Sequence, residues 1–314
     1  MKSITFHEIA FTLPIDGNTT TIPEIFRDFF GIDGIDLATI KQPLGRNGYS
    51  RQYVLKGGHG GELVTILAQG KGRNLEHTTN ITIHGAALES GSFDVQDIAI
   101  KLLDRGGWGA RAHLALDDHG GVLPWEEIKT CCEFGNYRDR LITRLCRPSK
   151  DRQTGQQKEN EPYLLKGEGE TVYLGRRSSD TSLVLYNRRG PLRCELRLAG
   201  RGQVTDLLTR IAAGEPLGPL ATGILKHNLV FVEPGPQSRK DRRPVCSWWL
   251  TFCDNAEALA LTRKRQPKQR SPWYVPISSV ERTERSIRKK LEGPRRIEYQ
   301  AMFTKITYDY MLGF

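Results

Sequence analysis

The stretch Thr171–Leu198, TVYLGRRSSDTSLVLYNRRGPLRCELRL, decides the fold that we predict for this chain. It contains two runs of alternating residues, Ser182–Asn187 and Leu192–Leu198, separated by an Arg-Arg-Gly-Pro segment. Alternation over six or seven residues is typical of a strand, and Gly-Pro between two such runs is typical of a turn. The stretch therefore predicts two neighbouring strands joined by a short basic turn.

The second of these strands has one polar and one apolar face, because the side chains of a strand alternate between its two faces. The polar residues are Arg193, Glu195 and Arg197, and the apolar residues between and after them are Cys194, Leu196 and Leu198. If Tyr186 of the first strand faces the polar side, this side combines a hydroxyl nucleophile, a possible metal ligand and cations that can bind phosphate. A ladder of solvated ion pairs gives the same pattern, so the spacing alone leaves both interpretations open.

The rest of the chain predicts further strands and helices in an α+β fold with a mainly antiparallel central sheet, helices packed on one face and a basic helical C-terminal part. The predicted strands are Ile4–Thr12, Tyr53–Leu55, Leu63–Leu67, Ile81–His84 and Ala112–Asp117. The predicted helices are Ile22–Phe30, Val95–Leu103 with Asp94 as N-cap, Pro124–Cys132 and Val204–Ala213. The polar segment Arg147–Glu161 predicts an exposed loop.

Charge and composition favour a polyanionic partner. The 314 residues carry a formal net charge of +10, with a sequence pI near 9.4, and nucleic acid is the usual partner of such a chain. No apolar run approaches the length of a membrane span, and the N-terminal sequence is unlike a secretion signal, so we expect a cytoplasmic protein without a membrane partner. The six cysteines form no CxxC pair, which favours reduced thiols over a zinc site.

A change in character after about Gly200 suggests two domains, residues 1–215 and residues 216–314. Lys and Arg accumulate between Arg263 and Arg296, interleaved with Trp273 and Tyr274. A dense cationic surface binds the DNA backbone by releasing counterions. We therefore expect the second region to help recognise a DNA site, and the first to carry any chemistry.

Two segments resemble the rolling-circle replication initiators, a family that includes initiators of small staphylococcal plasmids, phage proteins and related relaxases. That family carries a pattern close to Y-x-G-x-x-x-S-x-x-x-x-x-x-Y-N-K, followed by R-x-E-hydrophobic. The residues that hold these places here are Tyr173, Gly175, Ser179, Tyr186, Asn187, Arg188 in place of the lysine, Arg193, Glu195 and Leu196. The family's R-hydrophobic-D-L-A-x-D element resembles Arg111–Asp117, with His113 where the family usually has Asp.

The resemblance implies that Tyr186 attacks a DNA phosphate and forms a covalent 5′-phosphotyrosine intermediate; Tyr173 is the competing candidate. Such chemistry uses a divalent cation, and carboxylate and imidazole ligands suit Mg²⁺ or Mn²⁺. The candidate metal ligands are His113 and Asp117, four apart on one face of a strand, together with Glu195; His84 is a further candidate. The candidate DNA-binding cations are Arg111, Arg176, Arg177, Arg193 and Arg197.

The function expected from the resemblance is nicking and strand transfer at a replication origin. A conjugative relaxase with the same chemistry and a non-catalytic repressor on the same fold are the alternatives. The expected partners are DNA, both as a double-stranded origin and as a single-stranded nick site, a host helicase and, by resemblance, a second copy in a homodimer. A separate helicase is expected because the sequence contains no GxxxxGK[ST] motif.

Overall fold

The structure is a computed structural model that describes most of the first 262 residues. The described ranges are 2–42, 44–72, 74–91, 93–141, 163–165 (backbone only), 171–175, 179–187, 190–237, 239–254 and 256–262. The predicted loop Arg147–Glu161 and the basic segment Arg263–Arg296 therefore lie outside the described residues, as do Arg176, Arg177 and Arg188.

A single large antiparallel sheet organises the described part of the chain. The strands are β1 Lys2–Leu13, β2 Lys41–Gln42, β3 Tyr49–Lys56, β4 Glu62–Gly70, β5 Thr79–His84, β6 Trp108–Asp118, β7 Tyr137–Asp139, β8 Tyr163–Leu165, β9 Thr171–Leu174, β10 Thr181–Tyr186, β11 Leu192–Leu198 and β12 Leu229–Phe231. Ten of them follow the order β2-β3-β4-β5-β1-β6-β11-β10-β9-β8 in the large sheet, and the short strands β12 and β7 form a second sheet. The N-terminal strand β1 thus lies near the middle of the sheet, between β5 and β6.

Helices cover one face of this sheet and supply the rest of its core. They are α1 Thr21–Phe30, α2 Leu37–Ile40, α3 Gly85–Glu89, α4 Val95–Asp104, α5 Trp125–Glu133, α6 Arg201–Ala212, α7 Leu217–Asn228 and α8 Ser247–Phe252, with a 3₁₀ turn at Lys240–Arg242. Side chains such as Phe26 of α1, Leu102 of α4 and Leu207 of α6 join the same buried cluster as Leu114 and Leu196 of the sheet. The predicted α+β fold, with its antiparallel sheet and one helix-covered face, is confirmed.

The strand pair predicted from the opening stretch is present and follows the predicted alternation. Strands β10 and β11 pair directly, and the apolar side of β11 faces the core, where its three apolar side chains are fully buried. The polar side of β11 therefore lies on the face of the sheet opposite to the helix-packed core. We call that side the open face.

Helix α4 begins where the sequence predicts. The Asp94 carboxylate accepts hydrogen bonds from the backbone N–H groups of Gln96 and Asp97. These bonds satisfy two of the donors that the first turn of a helix leaves free. Ile98, Ala99 and Leu102 then face the core at helical spacing.

Packing continues without a break beyond residue 215. Leu220, Ile224 and Trp249, from α7 and α8, are buried in the same cluster as the sheet. When the chain is divided by the contacts between its residues, the first compact unit runs from Met1 to Lys264 and the second from Arg265 to Phe314. The predicted division near residue 215 therefore does not coincide with a gap in packing, because the apolar residues of α7 and α8 complete the first core.

Candidate active site

The polar residues of the open face lie in register across strands β6, β11 and β10. Arg193 of β11 stands opposite Asp117 on one side and opposite Tyr186 on the other. Directly paired residues of a sheet share a face. Tyr186, Arg193 and Asp117 therefore form one row, and Glu195 lies one step along β11 on the same face.

Three side chains on this face converge as a candidate metal centre. One ligand atom from each of His7, His113 and Glu195 lies within 4.8 Å of the others. Nδ1 of His113 is 3.6 Å from Oε1 of Glu195, and Nδ1 of His7 is 3.9 Å from Oε2. The Glu195 side chain is only 3% exposed, so this cluster is built around a buried carboxylate.

A β-bulge brings His7 into this centre. Phe6 pairs with Leu114 and Glu8 pairs with His113, so His7 is an extra residue of β1 against β6. The bulge changes which residues face the core, from Phe6 before it to Ile9 and Phe11 after it. His7 and Glu8 consequently both lie on the side away from the core, and bulges of this kind are frequent beside active sites.

The surroundings of His7 and His113 fit a metal ligand set of two imidazoles and one carboxylate. Nδ1 of His7 is buried and has no hydrogen-bond partner among the described residues. Gly85 lies against the same side chain, since a Cβ at Gly85 would be 2.9 Å from the His7 carbonyl oxygen and 3.0 Å from its Cδ2. Burial lowers the pKa of His113, which favours the neutral imidazole that binds metals.

Arg197 compensates the buried charge of Glu195. Its Nε donates a hydrogen bond of 2.7 Å to Oε1 of Glu195. Burying a carboxylate is costly unless a cation or a metal is paired with it. Arg197 supplies a cation at Oε1 of Glu195, while Oε2 lies toward His7 and Tyr186.

The Tyr186 hydroxyl points at this centre and donates a hydrogen bond of 3.4 Å to Oε2 of Glu195. Burial, and next the negative charge of Glu195, raise the pKa of Tyr186, whereas Arg193 acts in the opposite direction. The phenol is thus protonated at neutral pH and requires activation before it can act as a nucleophile. The competing Tyr173 lies on β9, where it pairs with Val184 of β10. Val184 pairs in turn with Glu195, so Tyr173 is one strand farther from Glu195 than Tyr186 is.

Asp117, proposed as a metal ligand together with His113 and Glu195, does not join the His7–His113–Glu195 cluster. Its two carboxylate oxygens accept hydrogen bonds of 2.6 and 2.8 Å from Nε and Nη2 of Arg193. Four residues along a strand span about 13 Å, so His113 and Asp117 could meet at one ion only by leaning toward each other. Asp117 instead leans toward Arg193, its partner across the strands.

The other predicted residues have separate positions. Arg111 lies on the open face, where its Nε donates to the carboxylate of Glu8. His84 lies outside the cluster, with Nε2 2.9 Å from the Thr65 hydroxyl and 3.3 Å from Oε2 of Glu62. The predicted DNA-binding residues Arg176 and Arg177 lie outside the described residues.

Regular alternation does not put His7 in this centre, although the sequence carries a signal for it. In Ile4–Leu13, ITFHEIAFTL, the large apolar residues first occupy even positions and then odd positions, and the change occurs at His7-Glu8. A strand that keeps one buried face can change parity in this way only through a bulge. The parity change therefore marks His7 as a residue turned toward the polar side.

Comparisons with known proteins agree with this fold. The model of the replication initiation factor family matches residues 110–271, a range that includes Asp117, Tyr186 and Glu195 but not His7. The solved structure of a rolling circle replication initiator protein from Geobacillus stearothermophilus is similar in fold, with 16% identity and a TM-score of 0.59. The alignment covers 84% of this chain and 99% of that one.

A comparison with curated proteins gives no match. Among the described residues, no helix is long and apolar enough to cross a bilayer. The family model extends over more than half of the chain and over the elements that hold Tyr186 and Glu195. On this match, the chain belongs to the replication initiation factor family.

Proposed function

We propose that this replication initiation factor acts by cutting one DNA strand at an origin, with Tyr186 as the nucleophile. The observation that carries the proposal is the Tyr186 hydroxyl, which donates to the carboxylate of a cluster with metal-binding composition. A tyrosine aimed at a pair of histidines and a buried glutamate is suited to attack a phosphate held at that place.

In the proposed reaction, the Tyr186 Oη bonds to the scissile phosphorus while the bond from phosphorus to the 3′ oxygen breaks. The 5′ phosphate stays on the tyrosine, the departing oxygen takes a proton to become a 3′-OH, and the phenol loses its own proton. The reverse attack by a 3′-OH rejoins the strand and restores the phenol. The 3′-OH left by the first step can prime replication.

His7, His113 and Glu195 would hold Mg²⁺ or Mn²⁺, and the two imidazoles favour Mn²⁺. A divalent cation there would polarise the phosphate oxygens and stabilise the departing 3′ oxygen. Arg193 and Arg197 flank Glu195 on the same face and can bind non-bridging phosphate oxygens. Arg111, Arg176 and Arg177 are proposed to contact the DNA backbone beyond the cut.

The expected partners are a double-stranded origin, the single strand exposed at the nick site, a host helicase and a second copy of the chain. The sequence that is basic after Arg263 is proposed to contribute to origin binding. This role rests on charge, because each phosphate contact releases counterions whatever the base sequence.

The test is incubation with single-stranded DNA that spans the origin of the parent element, with Mn²⁺ or Mg²⁺, followed by a denaturing gel and peptide mapping. We expect a protein–DNA adduct on Tyr186 that Tyr186→Phe abolishes while DNA binding is retained. Tyr173→Phe is the matched control and should leave the adduct in place. An adduct on Tyr173 would make Tyr173 the nucleophile in place of Tyr186. Tight DNA binding without any adduct would favour a non-catalytic repressor.

A further inference from the structure

Asp117 and Arg193 form a two-pronged ion pair at the edge of the candidate metal centre. The Nε of Arg193 donates to Oδ1 at 2.6 Å and Nη2 donates to Oδ2 at 2.8 Å. The Asp117 side chain is 11% exposed and that of Arg193 is 23% exposed. Paired hydrogen bonds of this kind fix the plane of the guanidinium as well as its position.

The pair is built into the register of the sheet. Asp117 of β6 and Arg193 of β11 are direct cross-strand partners, so neither side chain has to reach along its strand. Both oxygens of Asp117 are engaged by Arg193. Binding a metal together with His113 would require the carboxylate to lean along β6 toward His113 and away from this two-pronged contact.

The same register brings Arg193 to the nucleophile. Tyr186 is the direct partner of Arg193 on its other side, across β10. Arg193 interacts with the Tyr186 hydroxyl as well as with Asp117. The guanidinium thus lies between a carboxylate that holds it and the phenol that is proposed to attack a phosphate.

We propose that Asp117 is a positioning residue rather than a metal ligand, and that it holds Arg193 beside Tyr186 to bind the phosphate under attack. This inference rests on the proposed nicking function. It divides the residues of the proposed active site into two neighbouring groups. His7, His113 and Glu195 hold the cation, and Asp117, Arg193 and Tyr186 hold and attack the phosphate.

The first test is Asp117→Asn, which keeps the shape of the side chain but replaces one acceptor with a donor that faces Arg193. We expect the Mn²⁺ concentration for half-maximal cleavage to stay within about twofold of wild type, because the three ligands are intact. The maximal cleavage rate should fall by roughly 100-fold, because Arg193 is no longer fixed at the phosphate. His113→Ala should instead raise the Mn²⁺ requirement.

Arg193→Lys provides a second variant, which keeps the positive charge but cannot donate the two parallel hydrogen bonds of a guanidinium. We expect its cleavage rate to fall by a similar factor, and the double variant Asp117→Asn/Arg193→Lys to be no slower than Arg193→Lys alone, since the two residues act as one unit. Asp28→Asn is the matched control. It breaks another aspartate–arginine contact, that of Asp28 with Arg105, which lies outside the site, and should leave the rate unchanged.

A separate readout follows the ion pair without DNA. The Nε–H signal of Arg193 in a ¹⁵N NMR spectrum should be protected from exchange in wild type and lost in Asp117→Asn. Direct Mn²⁺ titration of the same two proteins should give equal affinities. If the wild type fails to cut DNA, the nicking proposal is wrong, while these two measurements still decide whether Asp117 holds Arg193 or binds the metal.

Two results would overturn the inference. One is a tenfold or greater loss of Mn²⁺ affinity in Asp117→Asn, similar to that in His113→Ala, which would make Asp117 a ligand. The other is full cleavage activity in Asp117→Asn, which would mean that the ion pair contributes nothing to the position of Arg193.

Discussion

At the scale of single residues, His7 distinguishes the structure from what alternation alone predicts. Glu195 and its flanking arginines follow a regular strand, so their common face could be predicted from the sequence. The sequence left the face of Tyr186 open, and its pairing with Arg193 across the strands puts it on that face. His7 could be found only from the parity change of β1. Asp117 was predicted as a ligand from its spacing to His113, but the side-chain contact across the sheet, with Arg193, decides its direction.

We predict that His7→Ala lowers Mn²⁺ affinity by about 100-fold or more, because it removes one of the three proposed ligands, and changes in residues that only support ligands already cost 10- to 100-fold. Isothermal titration with Mn²⁺ measures this effect without DNA. His77→Ala is the matched control, since His77 is an exposed histidine paired with Asp16 and lies outside the cluster. Equal affinity of His7→Ala and wild type would remove His7 from the site.

The stability of the metal-free protein should depend on pH through His113. Burial lowers the pKa of His113 in the folded state below its unfolded value near 6.5. As the pH falls below about 6.5, the unfolded state binds the proton first, so the free energy of unfolding decreases by at most about 1.4 kcal/mol per pH unit for this group. Urea unfolding of His113→Gln should show a smaller decrease than wild type.

His77→Gln should change the pH profile in the opposite sense. The hydrogen bond that His77 donates to Asp16 raises the pKa of His77, so its protonated form stabilises the folded state at low pH and this contribution is lost as the pH rises. Removing it should lower stability mainly on the acidic side. If the two variants shift the profile in the same direction, the assignment of either histidine is wrong.

At the scale of elements, the strands and helices of the first core were largely predictable because their signals are local. Asp94 caps α4 as predicted, and the apolar residues of β11 alternate without interruption. The observed ends of some strands differ from the predicted ends by a few residues, because pairing with a neighbouring strand extends them. Strand β6 begins at Trp108, four residues before the predicted start, since it pairs along almost the whole of β1.

The bulge in β1 gives a prediction about the element rather than the side chain. Deleting His7 removes the extra residue and leaves a regular alternation, in which Phe6 and Ile9 both still face the core and the pairing with β6 stays in register. We expect this deletion to change the free energy of unfolding by less than about 1 kcal/mol. Urea unfolding, read by circular dichroism, measures it.

The matched variant for this deletion is His7→Ala, which keeps the bulge and loses only the imidazole. It should change stability by less than about 1 kcal/mol, because the His7 side chain lies outside the core. If the deletion lowers stability far more than the substitution does, β1 needs the bulge to keep Phe6 and Phe11 in one core and this account of its two faces is wrong.

At the scale of the whole molecule, the order of the strands was beyond local reasoning. β1 pairs with β5 and β6, and β6 pairs with β11, so the centre of the sheet is built from contacts between distant segments. Neither charge nor alternation predicts which strand lies beside which. The compact unit that ends at Lys264 was likewise missed, because the apolar residues of α7 and α8 pack into a core that begins at β1.

A chain that ends at Lys264 should fold and keep the proposed nicking of short single strands, because it retains the whole first unit. It should bind double-stranded origin DNA more weakly and with a flatter dependence on salt, since the removed sequence is rich in Lys and Arg. Filter binding across a salt series measures both. Each lost phosphate contact should reduce the slope by about 0.9.

The control for this truncation is the full chain with Lys289, Lys290, Arg295 and Arg296 changed to Gln. If charge is what the removed segment supplies, this variant should lose much of the same salt dependence while the length stays constant. An unchanged salt slope in both proteins would place the origin-binding surface within residues 1–264.

The distance along the chain between His7 and Glu195 has a consequence during protein synthesis. A ribosome delivers Glu195 long after His7, when most of the strands of the sheet have been translated, and Tyr186 shortly before Glu195. A product of translation interrupted before Glu195 therefore lacks the carboxylate, and one interrupted before Tyr186 also lacks the proposed nucleophile. The proposed site can form only when most of the sheet has been made.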